Sequence, residues 1–372
     1  MARSPAFHRS LLCVLLSLAF SPGLGLAAPS DPSGPDEEGH GKRSPVRPTV
    51  EPVADLFFHL ETGLDGELPR FELDRAWLGA RIGFREVLTI DVVFDGARFA
   101  DLADEGRPTP LMGFVARAFA EVRPVPRHPD RLWLRAGQTW TFLVPMENRT
   151  GGHRQVAKGW ADRHGLQKSR DLGVSVGVAP IGRRLEFDVG VFNGGGFKLP
   201  EVDRHKQVNG LVVVRPLEGT PQAGAGLFVA GHLTWEPRDA DGGGRLAHRL
   251  GVSLLAGVDS HQLHAGVEIH RFELDLAGAP STVGGVAAYL HPTIPIPGAR
   301  LGPLPLEVEG QARLDFVHRN RGEPAELWVD VGAGVALASH AAVSLDYGFT
   351  VVGGASNPEP EHRLLATGRF RY

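Results

Sequence analysis

Cysteine is almost absent from this chain. Among 372 residues only Cys13 carries a thiol, and it lies in an N-terminal segment that we expect to be removed on export. Cys13 follows Leu12 rather than a small residue, so the segment does not match a lipoprotein site. A mature chain without thiols excludes disulfide frameworks, cysteine metal sites and cysteine nucleophiles together.

Long apolar runs and an excess of one charge sign are also missing after that segment. Charged residues recur every few positions, the mean hydropathy is -0.09 and the net charge is only -4. A slightly negative chain does not fit bulk nucleic-acid binding. A mean hydropathy near zero is usual for soluble proteins, but it equally fits membrane barrels, whose strands alternate apolar and polar side chains.

The first 27 residues have the pattern of a cleaved signal peptide. Arg3 and Arg9 precede an apolar run at 11–20, and Gly25-Leu26-Ala27 offers the small residues that signal peptidase reads. The run is about half of the ~20 residues that a spanning helix needs. Residues 28–50 are rich in proline, serine, glycine and charge, which predicts a disordered periplasmic segment.

From residue 51 to residue 372 the pattern has a period of two. In 341–351, for example, Val343, Leu345 and Tyr347 alternate with Ser344 and Asp346. Such alternation predicts strands with one wet and one apolar face. Many of these strands approach the ~9–11 residues that a tilted strand needs to cross a bilayer.

Sixteen candidate strands follow from this pattern, among them 131–143, 208–217 and 283–293. Short links such as 338–340 alternate with long polar ones such as 144–169. Short turns on one side and long loops on the other are typical of a transmembrane antiparallel up-and-down β-barrel, the all-β class that we predict for 51–372. Fourteen or eighteen strands also fit the pattern.

The C-terminus ends on Tyr372, with Phe370 two residues earlier on the same face. A last strand of this kind resembles the signal that bacterial outer-membrane barrels present to the barrel-assembly machinery. We therefore expect the outer membrane of a Gram-negative bacterium, with its lipid around the barrel.

Arginine recurs on the wet faces of neighbouring strands. Its planar guanidinium binds oxyanions through two hydrogen bonds and keeps its charge. The candidates for lining a pore and its constriction are Arg75, Arg81, Arg117, Arg123, Arg135, Arg149, Arg154, Lys158, Arg163, Lys168 and Arg369. Opposite them we expect an acidic wall of Glu186, Asp188, Glu268, Glu307, Glu309, Asp330 and Asp346. The alternative is that the arginines form salt bridges that only stiffen the wall.

The link 144–169 is the candidate constriction loop. Its basic side chains outnumber its two acidic ones, Glu147 and Asp162. If it folds inward, it places positive charge at the narrowest point of the pore, with Trp160 pinning it to the wall. If it stays outside, it is a solvated surface loop.

Catalytic and metal-binding patterns are weak. The period of two spreads carboxylates along strand faces instead of pairing them, so we predict no catalytic residue and no enzyme. His264 and His270 share a strand face with Glu268, but no second ligand pair has matching spacing, so we predict no metal and no cofactor. Asn193–Gly196 lacks the Lys-Ser/Thr pair of a phosphate-binding loop.

Several of these segments resemble the phosphate-selective porin family. The resemblance lies in Ser169–Val174, in Phe187–Gly196 with its Phe-Asn-Gly, and in Leu134–Gln138, and it covers roughly 114–217. It implies a sixteen-stranded trimeric porin with a basic ladder and an inward loop. Members of the family that are named for phosphate use lysines at the constriction. Lys158 and Lys168 lie in the matching loop, but this loop holds more arginine than lysine.

The function that we predict is passive diffusion of small hydrophilic solutes, with a preference for anions such as phosphate. A non-porin outer-membrane barrel, either an enzyme or an adhesin, is the first alternative. A soluble periplasmic β-sandwich that binds ligands is the second.

Overall fold

The structure is a computed structural model. It describes residues 48–63, 70–98, 111–150, 158–196, 205–218, 226–240, 245–276, 279–302, 304–320, 323–337, 341–353 and 360–371. Val46–Tyr372 is one compact unit. The predicted signal peptide at 1–27 and nearly all of segment 28–50 lie outside the described residues, so both stay predictions.

The described residues form seventeen strands and two helices. The strands are β1 (Thr49–Gly63), β2 (Arg70–Phe84), β3 (Leu88–Arg98), β4 (Leu111–Val122), β5 (Leu132–Trp140), β6 (Arg170–Val178), β7 (Pro180–Arg183), β8 (Leu185–Phe192), β9 (Gln207–Val214), β10 (Leu227–Ala240), β11 (Arg245–Asp259), β12 (Leu263–Leu276), β13 (Ala279–Leu301), β14 (Leu304–Arg319), β15 (Glu326–Leu337), β16 (Ala341–Val352) and β17 (Glu361–Arg371). The helices are α1 (Leu143–Thr150) and α2 (Trp160–Arg163). Neither helix has the length and apolar character needed to cross a membrane.

Sixteen of these strands close into one antiparallel barrel. Each pairs with its neighbours in the chain, and only the short β7 lies outside the ring. The ring closes where β1 pairs with β17, from Asp55 opposite Arg371 to Gly63 opposite Arg363. The predicted fold class and strand number are confirmed. A single sheet closed on itself also excludes the two-sheet sandwich.

Side chains alternate between the two faces of the barrel wall, as the pleat of a strand requires. On β11 and β12, Leu254 and Ile269 are 50% and 53% exposed, whereas their neighbours Ser253, Glu268 and His270 are buried. Exposed valine, leucine and isoleucine continue around the ring. The outer face is therefore an apolar belt, and the polar side chains point into the barrel.

Three strand ends show how the observed bounds differ from the pattern-based ones. The strand predicted at 131–143 ends at Trp140: the amide of Thr141 still bonds to the carbonyl of Ser169 in the same register, and α1 begins at Leu143. The strand predicted at 208–217 ends at Val214, before a turn in which the amide of Glu218 bonds to the carbonyl of Arg215. The strand predicted at 283–293 extends to Leu301. β12 pairs with it only as far as Pro292, and the free edge beyond tolerates proline.

Candidate pore and constriction loop

The link between β5 and β6 folds into the barrel. Leu143, Val144, Trp160 and Ala161 are fully buried and belong to one apolar cluster with inward side chains of the wall. The wall residues of that cluster are Phe192, Leu211, Val213, Phe228, Ala230, Leu255, Phe272, Val283, Ala287 and Val317. The sequence left open whether this loop folds inward or stays outside as a surface loop. In the structure it folds inward.

Local sequence explains the shape of this constriction loop, which we define as residues 141–169. The backbone hydrogen bond between Thr141 and Ser169 joins the two ends of the loop, and α1 then begins at Leu143. Pro145 lies in the first turn of α1, where a missing amide proton costs little. Gly159 precedes α2 and packs so closely on Glu147 that a Cβ there would overlap the carboxylate.

Trp160 anchors the loop in a niche of the wall. Its indole stacks on the ring of His270, with centroids 4.4 Å apart and planes 4° from parallel. The indole N–H donates to the carbonyl of Phe316 at 3.3 Å. The niche exists because residue 285 is glycine: a Cβ there would collide with the indole and with the Phe316 carbonyl.

Arg163 is the main ionic contact of the loop. Its two terminal nitrogens lie 3.0 Å from Asp315 and 3.0 Å from Asp330 on the inner face of β14 and β15. The guanidinium also stacks over Trp328 at 5.2 Å. At the other end of the loop, Arg149 pairs with Asp259 at 2.8 Å. The basic loop therefore binds to the acidic part of the wall.

His164 does not add to this positive charge. Burial lowers the pKa of His164 to about 3, and the neighbouring Arg163 acts in the same direction. The imidazole is therefore neutral at pH 7, and it packs against Trp160 with ring centroids 5.1 Å apart.

The wall of β2–β5 carries groups in which two arginines share one buried carboxylate. Asp91 on β3 accepts from Arg81 at 3.1 Å and from Arg117 at 3.0 Å. Glu121 on β4 accepts from Arg123 at 2.7 Å and from Arg135. Counted with the shared carboxylate alone, each group has one more positive than negative charge.

A third group surrounds Asp95, which is fully buried. Arg75 and Arg170 lie 3.4 Å and 3.7 Å from its two oxygens. The Arg170 guanidinium lies between two indoles, 4.7 Å from Trp77 and 4.2 Å from Trp140. Burial, charge and stacking fix Arg170 in place, so it is part of the rigid wall.

These arginine-rich strands face the constriction loop across the barrel. β3 and β12 are eight places apart in the ring of sixteen, which is half of the circumference. The inner face remains accessible to water here, because the side chain of Arg81 is 49% exposed and that of Arg123 is 36% exposed. Both also approach carboxylates, those of Glu51 at 3.9 Å and Asp130 at 3.3 Å. The candidate passage runs between the loop and this arginine-rich wall.

The remaining predicted pore residues lie in different parts of the chain and differ in their contacts. Arg369 pairs with Asp55 at 3.1 Å across the β1–β17 seam. Lys158 and Lys168 are exposed, and in the described ranges no carboxylate forms an ion pair with either. Arg154 lies outside the described residues. The part that any of these side chains takes in conduction stays a prediction.

The separate acidic wall is only partly observed. The predicted carboxylates lie on inner faces, but Asp330 is bound by Arg163 and Arg363, and Glu186 by Arg215 at 2.7 Å. The acidic wall therefore stays a prediction, and arginines of the loop and of the wall balance part of its charge.

Three buried arginines of the lumen, Arg170, Arg215 and Arg313, were missing from the predicted set. Arg313 binds Asp315 at 2.7 Å, and the alternation in its strand already placed it on the polar face. Arg170 had no such signal, because alternation puts the adjacent Asp171 on the inner face instead. Its inward position depends on the sharp departure of the chain from the constriction loop.

Known structures share this fold at low sequence identity. The outer-membrane channel DcaP of Acinetobacter baumannii superposes with a TM-score of 0.59 and 9% identity, over 89% of this chain and 99% of that one. OmpT of Vibrio cholerae gives 0.57 and 15%, over 87% and 98%. An anion-selective porin from Comamonas acidovorans gives 0.56 and 14%, over 88% and 100%.

A further structure of the Vibrio cholerae OmpT is described as its trimer form. No protein-family model and no curated protein matches the sequence. At these identities the likeness establishes the barrel fold that outer-membrane porins and channels use. The resemblance to phosphate-selective porins stays a prediction.

Proposed function

We propose that this chain is a porin of the Gram-negative outer membrane, which lets small hydrophilic solutes diffuse passively and favours anions such as phosphate. One observation carries the proposal: on the wall that faces the constriction loop, Asp91, Asp95 and Glu121 are each shared by two arginines. Counted with the shared carboxylate alone, each group has one positive charge in excess; the exposed Glu51 and Asp130 offset part of it at Arg81 and Arg123.

The apolar belt supports the location. Its exposed leucines, valines and isoleucines need acyl chains around them, because a water-soluble chain does not expose a belt of this extent. The polar, partly exposed inner face supports a water-filled passage. A barrel of sixteen strands is also wide enough for an aqueous channel.

Anion preference follows from the chemistry of the lining. Guanidinium groups bind phosphate or carboxylate through two parallel hydrogen bonds, and low-dielectric walls magnify each charge in a narrow passage. Lys158 and Lys168 add exposed positive charge on the loop side. That one of the structural neighbours is an anion-selective porin is consistent with this preference.

The proposal includes no chemical step and no cofactor. It includes a homotrimer, which the trimer form of one structural neighbour supports. It also includes recognition by the barrel-assembly machinery through the last strand. There, Phe370 stacks on Phe58 with ring centroids 5.7 Å apart, while Tyr372 lies outside the described residues.

Neutralising one arginine in each of two groups tests the charge preference. In the double variant Arg81→Gln, Arg135→Gln, each carboxylate keeps one arginine, Arg117 for Asp91 and Arg123 for Glu121. The wall should therefore stay folded. We expect the ratio of chloride to potassium permeability, measured as a reversal potential in a KCl gradient, to fall about two-fold or more, since such charges create potentials of several kT.

The matched control is Arg271→Gln. Arg271 pairs with Glu273, is 69% exposed and points away from the lumen, so its loss should leave the reversal potential unchanged. Added phosphate should reduce the chloride current of the wild type more than that of the double variant. An unchanged reversal potential in the double variant would contradict the anion preference.

A further inference from the structure

Three metal-ligating atoms converge where α1 meets β12. They are Oε1 of Glu147, Oε2 of Glu268 and Nε2 of His270, and all lie within 4.8 Å of one another. Nε2 of His270 is 3.3 Å from the Glu268 oxygen and 3.7 Å from the Glu147 oxygen. All three side chains are buried. Ligand atoms around a tetrahedral zinc ion lie about 3.3–3.6 Å apart, so the spacing already suits a small cation.

The surroundings hold each of these groups in position. Nδ1 of His270 lies 2.9 Å from the hydroxyl of Ser253. When Nδ1–H donates to that hydroxyl, Nε2 presents a lone pair to the two carboxylates. The indole of Trp160 stacks on the imidazole and fixes its plane. A histidine that donates its other N–H to a neighbour is the usual arrangement in metal sites.

Glu147 is held just as closely from the loop side. Oε1 accepts from the backbone amide of Ala161 at 3.0 Å, and the glycine at 159 gives the carboxylate room. α1 therefore brings one ligand from the constriction loop to two ligands on the wall.

The local charges require a cation or a proton. Arg313 is the nearest arginine to Glu268, but it hydrogen-bonds Asp315 at 2.7 Å and its Nη2 stays 3.9 Å from Glu268. Oε1 of Glu268 is buried without a hydrogen-bond partner among the described residues. Buried carboxylates that face each other are stabilised only when positive charge is added between them.

A second buried histidine, His232, lies on the same cross-strand line of inner-face residues as His270. It is an independent sign of a ligand. His232 on β10 lies opposite Ser253 on β11, and Ser253 lies opposite His270 on β12. His232 is 2% exposed, and neither of its ring nitrogens has a hydrogen-bond partner among the described residues. A buried imidazole without a partner is costly unless something else occupies the space beside it.

We propose that Glu147, Glu268 and His270 form a binding site for a divalent transition cation of the zinc class, which fastens the constriction loop to the barrel wall. The three side chains supply two oxygens and one nitrogen and leave a fourth coordination position open. Because the site is fully buried, the cation enters as the loop docks. The site does not depend on the anion preference of the pore.

Zinc retention tests this directly. The full chain is refolded in detergent with Zn²⁺, washed with a chelator, and its zinc content is measured by mass spectrometry. We expect one zinc ion per chain in the wild type. His270→Gln and Glu147→Gln should each lose it, whereas the control His261→Gln should keep it, because His261 is 82% exposed at the rim.

Folding of each variant is checked by circular dichroism, and Co²⁺ bound in place of Zn²⁺ reports tetrahedral coordination by its visible absorbance. Wild-type protein without zinc, or equal zinc in His270→Gln, would overturn the proposal. A metal-free wild type whose conductance changes with pH would also overturn it if Glu147→Gln abolished that change. The cluster would then hold a proton instead of a metal ion. Since zinc content is measured without conductance, its failure leaves the porin proposal untouched.

Discussion

Replacing Trp160 with alanine should release the constriction loop and raise the single-channel conductance. Trp160 is fully buried, stacks on His270 and fills the niche at Gly285. Loss of a buried tryptophan costs about 3–5 kcal/mol, which is large for one anchored segment. The strands keep their pairing, so the barrel should still insert into bilayers with an enlarged passage.

Two further variants complete this test. Gly285→Val closes the niche from the wall side and should give the same rise in conductance without changing the loop sequence. Its Cβ also meets the Phe316 carbonyl, so circular dichroism checks that the barrel is intact. Trp235→Ala removes an indole of the outer face, 46% exposed, and should leave conductance unchanged. Wild-type conductance in both Trp160→Ala and Gly285→Val would contradict the role that we assign to the loop.

Reversing the charge of Arg163 should have the second large effect. In Arg163→Glu the loop brings a carboxylate to Asp315 and Asp330, both almost completely buried. Removing one partner of a buried ion pair costs about 3–5 kcal/mol, and the new repulsion adds to that. We expect higher conductance together with a reversal potential shifted towards cations, since the lumen loses two units of positive charge.

A conservative variant separates this effect from simple damage. Arg163→Lys keeps a positive charge beside Asp315 and Asp330 and should retain most of the wild-type conductance and selectivity. Arg271→Glu makes the charge reversal outside the lumen and should alter neither quantity. Wild-type selectivity and conductance in Arg163→Glu would show that the pair does not hold the loop.

Strand positions were predictable because the sheet imposes a period of two on every residue. The alternation at 341–351 corresponds to β16, Ala341–Val352, and its apolar residues Val343 and Leu345 are exposed on the outer face. The same rule placed Arg75, Arg81 and Arg117 on the polar face. Whether a side chain lies on the outer face or in the lumen is a local property of each strand, so a local pattern records it.

Partners across the sheet were not predictable in the same way. Asp91 and Asp95 were recognisable as polar positions, but their partners were not. The register places Arg81 opposite Asp91, and Arg170 reaches Asp95 from β6, three strands away. The constriction loop is harder still. Arg163 meets Asp330 across 167 positions of the chain, and Glu147 meets His270 across a comparable distance. Such contacts exist only after the barrel has closed, and no spacing in the sequence encodes them.

The most direct test of the whole account is the current through a planar bilayer that receives detergent-purified protein. A barrel with an apolar belt and a water-filled, arginine-rich lumen predicts discrete current steps whose size grows linearly with voltage. In a KCl gradient it predicts a reversal potential shifted towards the equilibrium potential of chloride. Protein that stays in solution without detergent and gives no current steps would contradict it.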